Sequence, residues 1–181
     1  MYDVIYADPP WRYNFTKADS RAIENQYPTM SIEDICALDV AANADAILYL
    51  WATAPKLLEA LQVIDAWGFE YRTQAVWDKM NMGMGFWFRG QHEILMVGVR
   101  GTVSPPSQSM RVSSVIRCKR GRHSSKPDVV RSWIEQWYPS AKRLEMFARA
   151  KRPAWDAFGN QVEHDLLSDI HPEPTGDSAN E

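Results

Sequence analysis

Cysteine is nearly absent from this chain. Cys36 and Cys118 are its two, far apart and at no disulfide or metal-ligand spacing. That excludes a cysteine-stapled scaffold and leaves two free thiols, as a reducing compartment allows. Histidine is equally sparse, with four residues, and His123 beside Cys118 is too small a set for zinc, so no metal is expected. No apolar run approaches the ~20 residues needed to cross a bilayer. The opening MYDVIYAD has neither the basic start nor the small-residue cleavage site of a secretory signal. These absences predict a cytoplasmic protein without membrane partners. Acid is missing over a long interval: Ile94 to Pro127 holds no Asp or Glu, yet carries Arg100, Arg111, Arg117, Lys119, Arg120, Arg122 and Lys126.

What is present fits one soluble domain. The 181 residues are 45% hydrophobic and 24% charged, enough for a single core. The net charge of −3 conceals a polarity. Residues 162–181 contain six acids and no Lys or Arg, so the rest holds 20 cations against 17 acids. A cationic stripe on a near-neutral body fits a polyanionic partner; the alternative is a solvated loop. Eight tryptophans is a high count for this length. Flat aromatic surfaces serve either a core or base stacking.

Residues 2–7 (YDVIYA) read as a strand that must stop at Asp8-Pro9-Pro10, because consecutive prolines cannot continue a sheet interior. Residues 12–30 are polar and read as a mobile loop. Ser31 followed by Asp34 marks a helix start running to about Leu38. Residues 45–51 form a buried strand. Pro55 opens a helix over 55–67, whose Leu57, Leu58, Leu61, Ile64 and Trp67 follow helical spacing, with Gly68 ending it. Strands follow at 71–77 and 93–99, separated by a Gly-, Met- and aromatic-rich loop over 79–90. A short strand is expected near 112–117, a helix from Ser125-Lys126-Pro127-Asp128 to about Trp137, and strands at 142–147 and 154–158. Strands alternating with helices predict an α/β sheet with helices on its faces, ligands lying beyond the carboxyl ends of the strands. Residues 1–166 form the domain, and 167–181 an acidic, disordered tail.

Asp8-Pro9-Pro10-Trp11 stands where such a crevice opens. Its residues suit one difficult reaction, alkylation of an aromatic amine whose lone pair is delocalised into its ring. A catalyst must accept hydrogen bonds from both amino hydrogens, which drives the nitrogen toward a tetrahedral nucleophile. Asp8 offers a carboxylate and Pro9 a carbonyl held rigidly by the ring torsions of Pro9 and Pro10. Trp11 can stack on an extruded or single-stranded base. Orientation and electrostatics carry such a step without a general base. A plain turn after a strand is the alternative reading of these four residues.

Four stretches in order carry a resemblance: Asp8 to Trp11; HEILMVGVRG from His92 to Gly101; HSSKPD from His123 to Asp128; and RLEMFAR from Arg143 to Arg149, completed by Gly159-Asn160-Gln161. The chain resembles the MT-A family of messenger-RNA adenosine methyltransferase-like enzymes, which includes prokaryotic and phage adenine methyltransferases. The resemblance implies a single-domain Rossmann-like class I methyltransferase fold: a mixed, mostly parallel sheet with helices on both faces and a permuted motif order. It implies S-adenosylmethionine as cofactor and adenine N6 in nucleic acid as target, with DNA favoured over RNA by the compact, loop-only architecture. It also implies roles. Asp8, Pro9, Pro10 and Trp11 are catalytic. Lys126 binds the cofactor's carboxylate, and Asp8 contacts its amino group. Phe147 lines the site, and Arg149, Asn160 and Gln161 hold the ribose and nearby groups. Glu145 serves either as scaffold or as direct contact.

Two departures stand out. Ala150-Lys151-Arg152 replaces a Pro-His-Asn-type segment, and Ala148 stands where glycine is common. Larger relatives hold the cofactor's adenine with residues upstream of the catalytic strand, whereas this chain begins almost at that strand. Substrate contact is expected from loops. Arg12, Lys17, Arg111, Arg117, Lys119, Arg120 and Arg122 are candidates for phosphates, while Trp87 and Phe88 either stack on bases or pack. A homodimer fits relatives that work in pairs. Two rival readings are a non-catalytic nucleic-acid-binding partner subunit and a methyltransferase of small molecules or protein amides, which the basic loop disfavours.

Overall fold

Strand β1 (Tyr2–Ala7) ends where Asp8-Pro9-Pro10 begins. The computed structural model describes residues 1–13, 29–121 and 125–159. Most of the loop expected over 12–30, the 160–181 tail, and Lys17, Arg122, Asn160 and Gln161 therefore lie outside the described residues.

After β1 come α1 (Ile32–Cys36), β2 (Ala42–Ala52), α2 (Leu57–Ala66), β3 (Glu70–Asp78), β4 (His92–Arg100), β5 (Val115–Arg117), α3 (Asp128–Trp137), β6 (Arg143–Met146) and β7 (Asp156–Phe158). Ser31 caps α1 by accepting the Asp34 N–H at 3.1 Å, as the sequence predicts. Pro55 sits in a 3-10 turn, Ala54–Lys56, that leads into α2. Strand β2 begins three residues before the expected Asp45. Its polar residues are satisfied sideways, so they do not break the strand: Asn43 donates to Asp3 at 2.6 Å, and Asp45 accepts the Thr102 N–H at 2.7 Å.

Among the described residues the seven strands form one sheet in the order β5-β3-β4-β2-β1-β6-β7. β4 runs antiparallel to β2 and β3, and every other pairing is parallel. This is the mixed, mostly parallel sheet expected. Strand β2 shows why its sequence from Ala46 to Ala52 is apolar without interruption: Leu48, Leu50 and Ala52 face one layer, and Ile47, Tyr49 and Trp51 the other. The first layer is filled by Ile35 of α1 and by Ala60, Val63 and Ile64 of α2. The second is filled by Val130 and Ile134 of α3. Helices thus cover both faces.

β1 is the point where the winding reverses. From it the chain proceeds to β2 on one side, and only after α3 returns to pair β6 on the other. In open α/β sheets such a switch leaves a crevice beyond the carboxyl ends of the strands. Asp8 stands at that crevice.

Candidate active site

The turn after β1 is tight. The Trp11 N–H donates to the Pro9 carbonyl at 2.9 Å, and the Met30 N–H to the Pro10 carbonyl at 2.9 Å. Trp11 is 6% exposed and packs into the first core layer, its indole N–H donating to the Trp51 carbonyl at 3.1 Å. The indole buries a large apolar ring while its one donor is satisfied. Trp11 therefore anchors the turn from beneath, and its ring face is not open to a base in this arrangement. The Pro9 carbonyl, with one lone pair engaged by Trp11, retains the second.

Lys126, 118 residues away in sequence, meets this turn. Its ammonium donates to both Asp8 oxygens at 2.6 and 2.7 Å. It also pairs with Glu93 at 3.2 Å, and Glu93 pairs with Lys79 at 3.4 Å. The Trp51 ring lies 5.7 Å below the ammonium. Lys126 is 10% exposed and Asp8 27%. Burial works against the ammonium, but the Asp8 and Glu93 carboxylates outweigh it and hold its pKa above the ordinary lysine value. Local sequence explains the placement: Pro127 fixes the entry to α3, so Lys126 is delivered at the helix mouth.

On the other side of β1, β6 carries Glu145 beside Tyr6 in register. Glu145 is held by Arg131 of α3, with Nε to Oε2 at 3.0 Å and Nη2 to Oε1 at 2.5 Å. Arg131 also reaches Asp128 at 3.1 Å and lies 4.7 Å over the Tyr6 ring. Of the two roles open to Glu145, this geometry supports scaffolding. Burial raises the Tyr6 hydroxyl far above its ordinary pKa, so it stays neutral and accepts the Trp51 indole N–H at 2.6 Å.

Just past β6, Phe147 adopts a φ of +61°, a conformation few non-glycine residues take. It is half-buried against the first layer. A Cβ on Gly159 would stand 2.2 Å from the Ala148 carbonyl oxygen. Only glycine lets the end of β7 close on this turn, where the Ala148 N–H donates to the Phe158 carbonyl at 3.0 Å. Phe147 is thereby fixed at the carboxyl end of β6, neighbouring Asp8 across one strand. Arg149 lies on the exposed side of the same turn.

The basic candidates do not form one stripe. Arg12 is exposed beside the tetrapeptide. Arg117, on edge strand β5, pairs in register with Asp78, and exposed Lys119 and Arg120 follow it. Arg111 is exposed and donates to the Pro106 carbonyl at 3.1 Å. Arg100 belongs to the opposite end of the sheet, where it binds the carbonyls of Trp67, Gly68 and Ala42. Sequence reading missed Glu93, Lys79 and Arg131 as site residues. Glu93 lay inside a motif already singled out, and its signal was being the one acid between Lys79 and Pro127. Among the described residues no group of three or more His, Cys, Asp or Glu is arranged to hold a metal. An apolar cavity of about 650 Å³, lined by Ile47, Tyr49, Leu95, Val97, Trp133 and Trp137, lies on the α3 face and involves neither Asp8 nor Lys126.

The MT-A70 family profile matches residues 2–161. The chain is 32% identical over 181 residues to the type II methyltransferase M.MunI of a Mycoplasma species, covering 89% of this chain and 78% of that protein. It is 27% identical to an N(6)-adenosine-methyltransferase MT-A70-like protein of Drosophila melanogaster, covering 93% of this chain and 28% of that one. It is 26% identical to the N(6)-adenosine-methyltransferase catalytic subunit METTL3 of Homo sapiens, covering 90% and 28%. The chain thus spans little more than a quarter of the length of those larger relatives.

Proposed function

The chain belongs to the MT-A70 family, and from that premise we propose that it is an S-adenosylmethionine-dependent methyltransferase acting on N6 of adenine in nucleic acid, DNA in preference to RNA. The observation that carries the proposal is the meeting of Asp8 with Lys126 at the carboxyl end of β1, in the same tight turn as the Pro9 carbonyl. The target atom follows from the relatives named N(6)-adenosine-methyltransferases. The DNA preference rests on size: the type II methyltransferase is matched over 78% of its length by this compact chain.

The residues present fit the cofactor. Its amino-acid end is a zwitterion, and Lys126 offers an ammonium for the carboxylate while Asp8 offers an acceptor for the ammonium. Phe147 gives an apolar wall on the β6 side. When bound, S-adenosylmethionine supplies an electrophilic methyl carried on a sulfonium.

The chain's own part is orientation and charge. Asp8 and the free lone pair of the Pro9 carbonyl accept the two amino hydrogens of adenine. Localising the nitrogen lone pair in this way makes it nucleophilic, and the Asp8 charge stabilises the positive charge that develops on the nitrogen. Trp11 and Trp51 hold the turn so that neither acceptor must reorganise. Lys126 donates to both Asp8 oxygens. An anionic carboxylate brought to Lys126 competes with Asp8 for its donors and leaves the Asp8 oxygens to the amino group.

The deciding experiment is methyl transfer from labelled cofactor to DNA and RNA oligonucleotides, single- and double-stranded, with Asp8→Ala as control. Label in N6-methyladenine, greatest on DNA and abolished in Asp8→Ala, is expected. Label elsewhere, or none, refutes the reading. Calorimetry of cofactor binding separates an enzyme from a scaffold subunit, which binds none.

A further inference from the structure

The segment between β3 and β4 is built to hold aromatic side chains in water. Phe86, Trp87 and Phe88 are 95%, 94% and 90% exposed. Apolar rings are normally buried, and an exposed cluster of them marks a contact surface. The backbone beneath is held. The Lys79 N–H donates to the Gln91 carbonyl at 2.9 Å, Gly83 to Gly90 at 2.8 Å, and Gly90 to Met84 at 3.0 Å. The Asp78 carboxylate accepts the Met80 N–H and the Gln91 amide, each at 2.8 Å. The Arg89 Nε donates to the Gly83 carbonyl at 3.0 Å. A Cβ on Gly85 would stand 1.9 Å from the Phe88 carbonyl oxygen, so glycine is required for the tip to fold back on itself. These rings are displayed by a hydrogen-bonded hairpin extension.

Its position and charge identify the occupant. β4 is antiparallel to β2, with Ala52 opposite Ile94, so the hairpin projects from the same end of the sheet as Asp8. Its root, Lys79, is joined to Asp8 through Glu93 and Lys126. On its outer side β5 brings Arg117 opposite Asp78, and the Cys118 N–H donates to the Asp78 carbonyl at 3.3 Å. Exposed Lys119 and Arg120 come next. From Lys79 to Pro127 the one acid is Glu93, and it is paired. Aromatic rings inside a cationic collar are complementary to a strand of stacked bases and phosphates. A second copy would instead bring two like-charged collars face to face.

We propose that Phe86, Trp87 and Phe88 form a stacking platform for the bases that flank the target adenine, with Arg89, Arg117 and Lys119 taking the adjoining phosphates. The proposal rests on nucleic acid being the substrate. The platform is a positioning surface, distinct from the residues that touch the reacting nitrogen.

Steady-state methylation of a single-stranded deoxyoligonucleotide with one adenine tests it, using the full chain. The variants are the triple Phe86→Ala/Trp87→Ala/Phe88→Ala and the single changes Trp87→Leu and Trp87→Tyr. The triple should raise KM for the oligonucleotide about tenfold or more, as loss of base stacking does, with cofactor affinity by calorimetry unchanged. Trp87→Tyr should stay near wild type, and Trp87→Leu should lose activity at low substrate. An unchanged KM in the triple, or Leu serving as well as Trp, overturns the platform. So does dissociation of a wild-type dimer by the triple in sedimentation velocity with KM unaltered. If wild type methylates no oligonucleotide at all, the function proposed above fails with it; an active wild type with an indifferent triple sinks the platform alone.

Discussion

Lys126 is the residue on which two functions meet: it neutralises Asp8 and, on the proposed reading, receives the cofactor carboxylate. Replacing it with methionine, which keeps the length and removes the donors, leaves Asp8 and Glu93 as neighbouring acids without their shared cation. Cofactor affinity should fall tenfold or more by calorimetry, since a charge-assisted pair is lost from a site that is largely dry. The pH behaviour has a definite sign. Lys126 has a raised pKa in the fold, so its stabilising contribution is complete below the unfolded lysine value of about 10.4 and is lost only as pH rises through the folded value. From neutral pH upward, thermal melts should therefore show a constant gap between wild type and Lys126→Met that closes only in strong alkali; a gap that closes between neutral pH and the ordinary lysine range contradicts the assignment. Asp8→Asn separates the other function. It keeps an acceptor oxygen but removes the charge, and kcat should fall about 10²–10³-fold, the scale of losing one preorganised electrostatic contact, with a smaller change in cofactor affinity.

At the scale of elements, the Arg131–Glu145 pair ties α3 to β6 beside Tyr6 of β1. Glu145→Leu strands the Arg131 guanidinium in a buried position and should cost about 3 kcal/mol by denaturant titration, near the low end for a broken buried pair, because Asp128 and the Tyr6 ring still hold the cation. Removing both partners in Arg131→Met/Glu145→Leu should recover much of that loss. Gly159→Ala tests the turn beside it: the added methyl meets Ala148 backbone that cannot yield locally, so about 1–3 kcal/mol of overpacking strain is expected, together with weakened cofactor binding as Phe147 shifts. The apolar runs of β1 and β2, the helical spacing of α2 and the Pro127-Asp128 start of α3 made those elements legible in the sequence, as did the capped start at Ser31, because each signal is local. Asp8 and Lys126, which the structure brings together, could be singled out for the same reason, each lying in a compact motif. The Arg131–Glu145 pair was not, since only the crossover from α3 to β6 brings them together. Trp11 shows the limit from the other direction: the motif announced an aromatic at the site, but whether its ring faces solvent or core is decided by Trp51, forty residues on.

Over the described residues, a sheet reversing at β1 gathers Asp8, Lys126 and the aromatic hairpin at one end. Exposed Arg117, Lys119 and Arg120 sit beside the root of the hairpin at the Asp8 end of the sheet. The stripe read from the sequence was too long, because Arg100 turned out to close the opposite end of the sheet through backbone carbonyls. The remaining cations make a quantitative claim about binding. Each phosphate neutralised on duplex DNA releases condensed counterions and adds about 0.9 to the slope of log affinity against log salt. Arg117→Ala/Lys119→Ala should lower that slope by about 1.8, weakening binding by a similar factor for any sequence, since phosphate contacts position a duplex without reading it. Arg100→Ala should leave the slope unchanged while lowering the melting temperature, because it removes a carbonyl clamp far from the crevice. Fluorescence anisotropy on labelled duplexes across 50–200 mM salt, the span over which such slopes are resolved, measures all three proteins. Equal slopes in wild type and the double variant would mean that nucleic acid does not approach this face, and that the collar around the aromatic hairpin is solvated surface.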